Sequence, residues 1–224
     1  MLRDRILKPL NLSRTLLDYP APDDGNVAMA YEALDDASPV EIYTVTATEK
    51  IMSGAAAGLR TCTKDLLVLY DAFMIAANDQ FASGNTSTPN SPLKQVSHLM
   101  SAAIPINGPT ANEASYALGW ARVQLPGRMG AVGCNPSLMP DGMPIVGKGV
   151  PSRLVIYHQG SLPGALSAVF LVPESETAIV VMSNSLALND SPDVRKHTLS
   201  FILARLLARS PQLMSRHAKY LIHY

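Results

Sequence analysis

The sequence predicts an α/β fold in which helices flank an antiparallel sheet. The main evidence is the stretch 153–184, where the apolar runs Leu154–Tyr157, Ala165–Val172 and Thr177–Met182 are separated by short turn signals. Runs of this length joined by tight connections are typical of a three-strand antiparallel meander. Apolar residues at helical spacing elsewhere in the chain supply the flanking helices.

Three segments carry the helical signals. Residues 2–10 form a short amphipathic pattern, and residues 63–77 form a longer one, with Thr63 as the expected N-cap. A third helix is expected from Ser191 to about Arg209, because Ser-Pro-Asp places a capping residue ahead of a proline at the first helical position. We expect this last helix to lie across the meander.

Length and charge limit the class of protein. At 224 residues the chain suits a single domain, 1–224, that buries roughly 70% of its unfolded surface. Eighteen basic and eighteen acidic residues give no net formal charge, so bulk charge does not indicate binding to nucleic acid or to an anionic membrane. No window approaches the roughly 18 apolar residues of a membrane span, and a cytoplasmic protein is expected.

Cysteine and histidine spacing indicates no cofactor. Cys62 and Cys134 are far apart, which excludes a disulfide framework or a metal knuckle, and no histidine shows metal-ligand spacing. The triplet 147–149, Gly-Lys-Gly, lacks the rest of a phosphate-binding loop. We therefore expect neither a metal nor an organic cofactor.

The chain between the second helix and the meander is loop-rich. Residues 78–150 contain many Ser, Thr, Asn, Pro and Gly residues, interrupted by a short helix near 94–101 and by a strand, Tyr116–Val123, with Trp120 at its centre. Long loops in compact domains often border a ligand cleft. The segment 78–150 is therefore expected to be a cleft region within the single domain.

The candidate site lies where polar residues interrupt the first strand of the meander. His158, Gln159 and Gly160 follow the apolar run directly, and Ser161 comes next. A glycine in a strand allows a ligand to approach the backbone closely. The structural alternative is a strand histidine satisfied by a neighbour, with Gly160 marking a β-bulge.

This pattern resembles the third active-site element of the serine β-lactamase and penicillin-binding-protein superfamily. The resemblance is to its class C-like branch of hydrolases and acyltransferases, fungal ones included, where the element reads Lys-Thr-Gly or His-x-Gly. Further segments resemble that branch in the same order, namely 1–15 (MLRDRILKPLNLSRT), 54–73 (GAAAGLRTCTKDLLVLYDAF) and 116–120 (YALGW). The resemblance covers nearly the whole chain and implies a β-lactamase-like sheet flanked by helices.

The resemblance also implies roles for the candidate residues. Acyl transfer through a serine ester needs a nucleophile, a base and two N–H donors for the oxyanion. By resemblance, the backbone N–H of Ser161 is one donor, and His158 lines the cleft beside the catalytic pair. Gln159 and Gly160 would contact the substrate, a small-molecule ester, thioester or amide of fungal secondary metabolism.

The family's nucleophile is not found in its expected place. In the superfamily a Ser-x-x-Lys motif, followed by Tyr-x-Asn or Ser-x-Asn, precedes the segment that residues 1–15 resemble. The chain contains no Tyr-x-Asn, and its Ser-x-x-Lys, from Ser91 to Lys94, follows Ser83-Gly84-Asn85 instead of preceding it. We therefore expect an N-terminally incomplete fold, with apolar surface exposed where the nucleophile helix would pack and a partner protein covering it.

Two functions remain open at this point. The chain is either the C-terminal portion of a serine hydrolase or acyltransferase, inactive alone, or a non-catalytic remnant. In the second case it would serve as a binding or scaffold partner that retains the cleft wall. An upstream segment carrying Ser-x-x-Lys and Tyr-x-Asn would favour the first.

Overall fold

The structure is a computed structural model that describes residues 1–17, 24–36, 38–43, 54–106, 108, 110–133, 135–138, 142–186 and 219–223. Within these residues the helices are α1 (Gly54–Ala57), α2 (Thr63–Ser83), α3 (Val96–Met100) and α4 (Asn135–Leu138). The strands are, in chain order, β1 (Ala30–Ala33), β2 (Pro39–Ile42), β3 (Ile104–Pro105), β4 (Ala114–Tyr116), β5 (Ala121–Gln124), β6 (Gly127–Arg128), β7 (Ile145–Val146), β8 (Leu154–Leu162), β9 (Ala165–Val172), β10 (Thr177–Ser183), β11 (Ser185–Leu186) and β12 (Lys219–His223).

One large sheet organises the fold. Seven strands pair in the order β12-β10-β9-β8-β5-β4-β3, and all these pairs are antiparallel except β10 with β12. A smaller sheet has the order β11-β1-β2, and β6 pairs with β7. The predicted helix-flanked antiparallel sheet is thereby confirmed, with the meander β8-β9-β10 near its middle. No helix in the described part of the chain is long and apolar enough to cross a membrane.

The first strand of the meander is not interrupted by its polar residues. β8 continues to Leu162 and pairs residue for residue with β9 from Ile156 to Leu162, so Gly160 does not mark a bulge. Ladder hydrogen bonds come from backbone groups, which polar side chains leave free to pair. Pro163 and Gly164, the latter at φ +70°, form the two-residue turn between these strands.

Helix α2 packs on one face of the large sheet, which we call the α2 face. The helix begins at Thr63, but the N-cap is Cys62, which makes no side-chain capping bond, so the prediction of Thr63 as N-cap is wrong. It continues past Ala77 because no breaker intervenes before Gly84, whose φ of +71° ends the helix. Its buried contacts with the sheet form a core with the following members: Phe73, Met74, Ala76, Ala77, Ile156, Val169, Leu171, Ala178 and Val180.

A second core lies on the opposite face of the sheet. Strand alternation places the neighbours of the α2-face residues there. Its buried members include Ala121, Val123, Leu125, Met129, Val146, Val155, Tyr157, Phe170, Ile179 and Val181. The C-terminal helix expected at 191–209 lies outside the described residues.

The predicted strand Tyr116–Val123 is a hairpin instead. Its residues divide between β4 and β5, joined by a turn in which Gly119 has φ +85° and the Ala117 N–H donates to the Trp120 carbonyl over 2.7 Å. A glycine at positive φ reverses the chain where an uninterrupted strand was expected. The Trp120 ring therefore lies at the turn and packs against Tyr70 and Phe73, at centroid distances of 6.0 and 5.5 Å.

The segment 78–150 contains more regular structure than its composition indicates. It includes the end of α2, the helix α3 expected near 94–101, and the three sheet strands β3, β4 and β5. The N-terminal helix is also shorter than predicted: Arg3–Leu7 forms a π-helical turn, with Leu7 buried.

The turn of the β8–β9 hairpin packs tightly on β1. A Cβ added at Gly164 would lie 2.3 Å from the Cβ of Ala30, whereas one added at Gly84 would meet nothing within 4 Å. Both glycines have nearly the same positive φ, +70° and +71°. The two sites therefore differ in steric room and not in backbone conformation.

We expect Gly164→Ala to lower the free energy of unfolding by about 1–3 kcal/mol more than Gly84→Ala. Both substitutions carry the backbone cost of a side chain at positive φ, about 1–2 kcal/mol, but Gly164→Ala also forces the hairpin away from β1. Urea unfolding of both variants measures the difference. Equal losses would show that the contact between Gly164 and Ala30 does not constrain the fold.

The packing of α2 on the sheet makes a second prediction. Met74 is 1% exposed and Ile75 is 48% exposed, although they are adjacent on the helix. We expect Met74→Ala to lower the free energy of unfolding by about 2–5 kcal/mol, because it leaves a cavity against the sheet, and the control Ile75→Ala by less than about 1 kcal/mol. Chemical denaturation measures both, and a larger loss for Ile75→Ala would contradict this orientation of α2.

Candidate active site

A cleft of about 600 Å³ opens on the α2 face, beside the turn of the β8–β9 hairpin. Its walls come from residues 13–16 and 24–28, from the segment 56–62, from the start of α2, from the β8–β9 hairpin and from the end of β10. A volume of this size lies within the range of small-molecule sites, which run from roughly 300 to 1,000 Å³.

Asp65 attaches the N-terminal wall of the cleft to α2. Its carboxylate is 4% exposed, and Oδ2 accepts hydrogen bonds from the Arg14 backbone N–H at 2.8 Å and from the Thr15 hydroxyl at 2.9 Å. Leu16 and Arg60 exchange two backbone hydrogen bonds of 2.8 Å beside it. Because a buried carboxylate is costly without partners, these bonds hold the segment in one position.

Arg14 brings positive charge to the rim, where it is already paired. Its Nη2 donates to Asp24 Oδ2 at 3.0 Å and to the Asn26 carbonyl at 2.8 Å. The guanidinium therefore links the N-terminal segment to residues 24–26. It adds little net charge to the interior of the cleft.

The floor of the cleft is apolar, with glycine at one point. The apolar lining on the α2 face consists of Leu66, Val169, Val180 and Met182. Gly160 lies directly across from Ser167, and a Cβ at Gly160 would be 2.7 Å from the Ser167 Oγ. The missing side chain leaves room for this hydroxyl and exposes the β8 backbone to the cleft.

The backbone N–H of Ser161 points away from β9, toward the side of β8 on which β5 pairs. The Leu125 N–H donates to the carbonyl of Arg153, the residue just before β8, at 2.8 Å, so the odd-numbered residues face β5 at this end of the ladder. Antiparallel alternation then turns the backbone groups of Gln159 and Ser161 toward β5 as well. Because β5 begins at Ala121, opposite Tyr157, these groups face an open space beside β8, which we call the notch.

His158 is held at the notch by two hydrogen bonds. Its Nδ1 lies 2.6 Å from the Gln159 carbonyl and its Nε2 lies 3.0 Å from the Tyr116 hydroxyl. Since a carbonyl only accepts, Nδ1 carries the proton, and in the neutral ring Nε2 accepts from Tyr116. The ring is fixed beside the cleft and is not among the residues that line it.

The structure separates the four predicted site residues. Gly160 and Ser161 line the cleft, whereas His158 lies next to it. The side chain of Gln159 is 8% exposed, lies on the face away from α2, and its Oε1 makes no hydrogen bond within the described residues. Because side chains alternate between the two faces of a strand, the Gln159 side chain lies on the face opposite to those of its neighbours. The backbone of Gln159 faces the notch, but its side chain does not.

The serines of the Ser-x-x-Lys and Ser-x-Asn matches, Ser91 and Ser83, lie outside the cleft. Ser91 and Lys94 precede α3 in irregular chain, and the Ser91 hydroxyl accepts from the Leu93 N–H at 3.2 Å. Ser83 ends α2, and its hydroxyl accepts from the Asn85 N–H. None of these residues lines the cleft. Among the described residues, no group of three or more His, Cys, Asp or Glu side chains is arranged to hold a metal.

Sequence reasoning missed polar residues that line the cleft, such as Tyr70 and Ser167, and Asp65, which holds its N-terminal wall. Tyr70 and Asp65 were expected only as parts of a helix, and Ser167 as part of an apolar strand. Helical spacing shows which positions of α2 face the sheet, but not where along the helix the sheet contact opens into a cleft. The position of Ser167 beside Gly160 in the cleft follows from the pairing of β8 with β9, which the sequence does not show.

Comparison with known proteins gives a family match. The Beta-lactamase family model matches residues 1–203. No curated protein sequence matches the chain. Among solved structures, a class C beta-lactamase from Rhodobacter sphaeroides is 18% identical with a TM-score of 0.56, covering 84% of this chain and 49% of its own. A beta-lactamase from Sulfitobacter sp. EE-36 is 15% identical with a TM-score of 0.58, covering 85% and 49%.

A third structure extends the same likeness. The octameric penicillin-binding protein homologue from Pyrococcus abyssi is 18% identical with a TM-score of 0.57, covering 95% of this chain and 38% of its own. At these identities the structures share the fold, and the chain spans half or less of their lengths. With most of its length matched by one family model, the chain belongs to the Beta-lactamase family.

Proposed function

We propose that this chain forms one wall of the acyl-transfer site of a β-lactamase-like serine hydrolase or acyltransferase. Its substrate would be a small-molecule ester, thioester or amide. The observation that carries the proposal is the backbone N–H of Ser161, which points into the notch at the edge of a cleft large enough for such a substrate. The proposal that this substrate belongs to fungal secondary metabolism rests on the sequence resemblance alone.

The Ser161 N–H suits an oxyanion hole. When a serine hydroxyl attacks the substrate carbonyl carbon, its proton passes to a base and the carbonyl oxygen becomes an oxyanion. That oxyanion needs two donors already in place, since donors that must reorient stabilise it less. The β8–β9 ladder holds Ser161 rigid, and the His158 Nδ1–H occupies the adjacent Gln159 carbonyl, which would otherwise repel the oxyanion.

In this proposal the nucleophile comes from outside residues 1–224. By resemblance it is the serine of a Ser-x-x-Lys helix, and its own backbone N–H would be the second donor. An upstream segment or a partner protein would bring this helix to the Ser161 end of the cleft and cover part of the apolar lining. The half length of the chain relative to its solved neighbours supports such a division.

A non-catalytic role as a remnant or binding partner has its own supporting observation. Ser91, which starts the chain's Ser-x-x-Lys, has its hydroxyl bonded within its own loop and lies outside the cleft. Lys94 is exposed and is not one helical turn from Ser91. A chain that never meets a nucleophile would keep the cleft but not the acyl chemistry.

The test compares the chain alone with a polypeptide that includes the upstream in-frame Ser-x-x-Lys and Tyr-x-Asn. Intact mass is measured after incubation with a fluorophosphonate. We expect no stoichiometric adduct on residues 1–224 alone, and one adduct, on the upstream serine, in the longer polypeptide. An adduct on Ser91 would overturn the division of the site, and the absence of such an upstream sequence would leave the non-catalytic role.

A pair of substitutions at one position tests the oxyanion donor. Ser161→Pro removes the backbone N–H, while Ser161→Ala keeps it. Because this N–H points away from β9, proline breaks no ladder bond there. In the longer polypeptide we expect Ser161→Pro to slow acylation by about 10²–10³-fold and Ser161→Ala to leave it within about 3-fold. Equal rates for the two variants would remove Ser161 from the mechanism.

A further inference from the structure

Tyr70 lines the cleft, and its hydroxyl group is not used by the acyl chemistry proposed above. The residue lies on α2 one turn after Leu66, and both line the cleft. Its ring packs edge-on against Trp120, with the centroids 6.0 Å apart. This contact fixes the ring between the sheet and the helix, so the position of the hydroxyl is defined before a ligand binds.

The hydroxyl has no committed partner. It makes no hydrogen bond with a residue that the structure describes, and burial raises the pKa of Tyr70 to about 12. The phenol therefore stays neutral and keeps its proton throughout the physiological pH range. If a ligand that cannot accept a hydrogen bond fills the cleft, the hydroxyl is left without water and without a partner, which costs free energy.

The surroundings decide which acceptor fits. The lining next to Tyr70 is apolar, from Leu66, Val169 and Val180. Among the described residues, the cations that line the cleft are Arg14 and Arg60, both from its N-terminal wall and the segment 56–62. Arg14 already binds Asp24 and the Asn26 carbonyl at the rim. A neutral carbonyl oxygen on an apolar group would accept the hydrogen bond of the phenol without bringing a charge onto this apolar lining.

We propose that Tyr70 is a specificity-determining residue whose hydroxyl donates to a carbonyl oxygen of an apolar acyl substrate seated on the α2 face. The inference rests on the proposed function for the identity of the substrate. Binding of a carbonyl compound, however, requires no nucleophile. A cleft that leaves a donor unpaired when the acceptor is missing selects against analogues that lack the acceptor more strongly than an apolar pocket selects by shape.

The test is binding of methyl hexanoate to the chain of 224 residues. Trp120 is the single tryptophan of the chain and touches Tyr70, so its emission reports an occupant at this position. We expect a saturable change in emission, and a dissociation constant raised about 3- to 10-fold in Tyr70→Phe, the loss of one neutral hydrogen bond. The matched control is Tyr43→Phe, at a tyrosine that is fully exposed, which should bind like the wild type.

A measurement on the wild type keeps the proposal testable if Tyr70→Phe does not fold. With ¹³C at the ester carbonyl, we expect the infrared stretch of the bound ester to lie below its frequency in heptane, because the phenol donates to it. Unchanged affinity in a folded Tyr70→Phe variant, a heptane-like frequency, or no saturable binding would each overturn the proposal. None of these outcomes depends on whether an adduct forms, so failure here is distinct from failure of the acyl-transfer function.

Discussion

The register between β8 and β9 is the constraint on which the rest of the molecule depends. Because side chains alternate along a strand, a slip of one residue would send each apolar residue of β8 to the wrong face. The observed register puts Ile156 against α2 and Tyr157 into the opposite core. The same register sets Gly160 across from Ser167 and turns the Ser161 N–H away from β9. Core and candidate site therefore share one geometric cause.

Helix α2 serves both of these regions. Phe73 and Met74 pack into the core on the sheet, while Tyr70, about one helical turn earlier, lines the cleft. At its first turn, Asp65 holds the N-terminal wall through two hydrogen bonds. Because the core fixes most of the helix, the residues in about its first two turns are held rigidly beside the cleft. The cleft geometry is thus maintained by packing that lies outside the cleft.

The sequence predicted elements whose signals are local and missed features that depend on tertiary contacts. The meander and α2 were predicted because apolar periodicity is visible in the chain itself. The hairpin at Gly119 was taken for a continuous strand, since one glycine inside an apolar run reads equally as a strand residue or a turn. Gln159 shared a motif with Gly160 and Ser161, yet strand alternation directs its side chain to the other face. Tyr70 could not be distinguished from a core residue, because its spacing is that of the buried stripe.

The catalytic and the non-catalytic role require the same structure of this chain. They differ in whether a nucleophile segment completes the cleft. The Ser161 N–H is oriented by a backbone ladder that is complete within the described residues, so it needs no nucleophile to hold its direction. The Tyr70 hydroxyl is likewise fixed by its packing on Trp120. If both proposals hold, recognition of a carbonyl group and attack upon it are physically separable in this fold. A chain that lost or never joined its nucleophile segment would lose the second and keep the first, and it would then act as a binding protein for the substrates of its catalytic relatives.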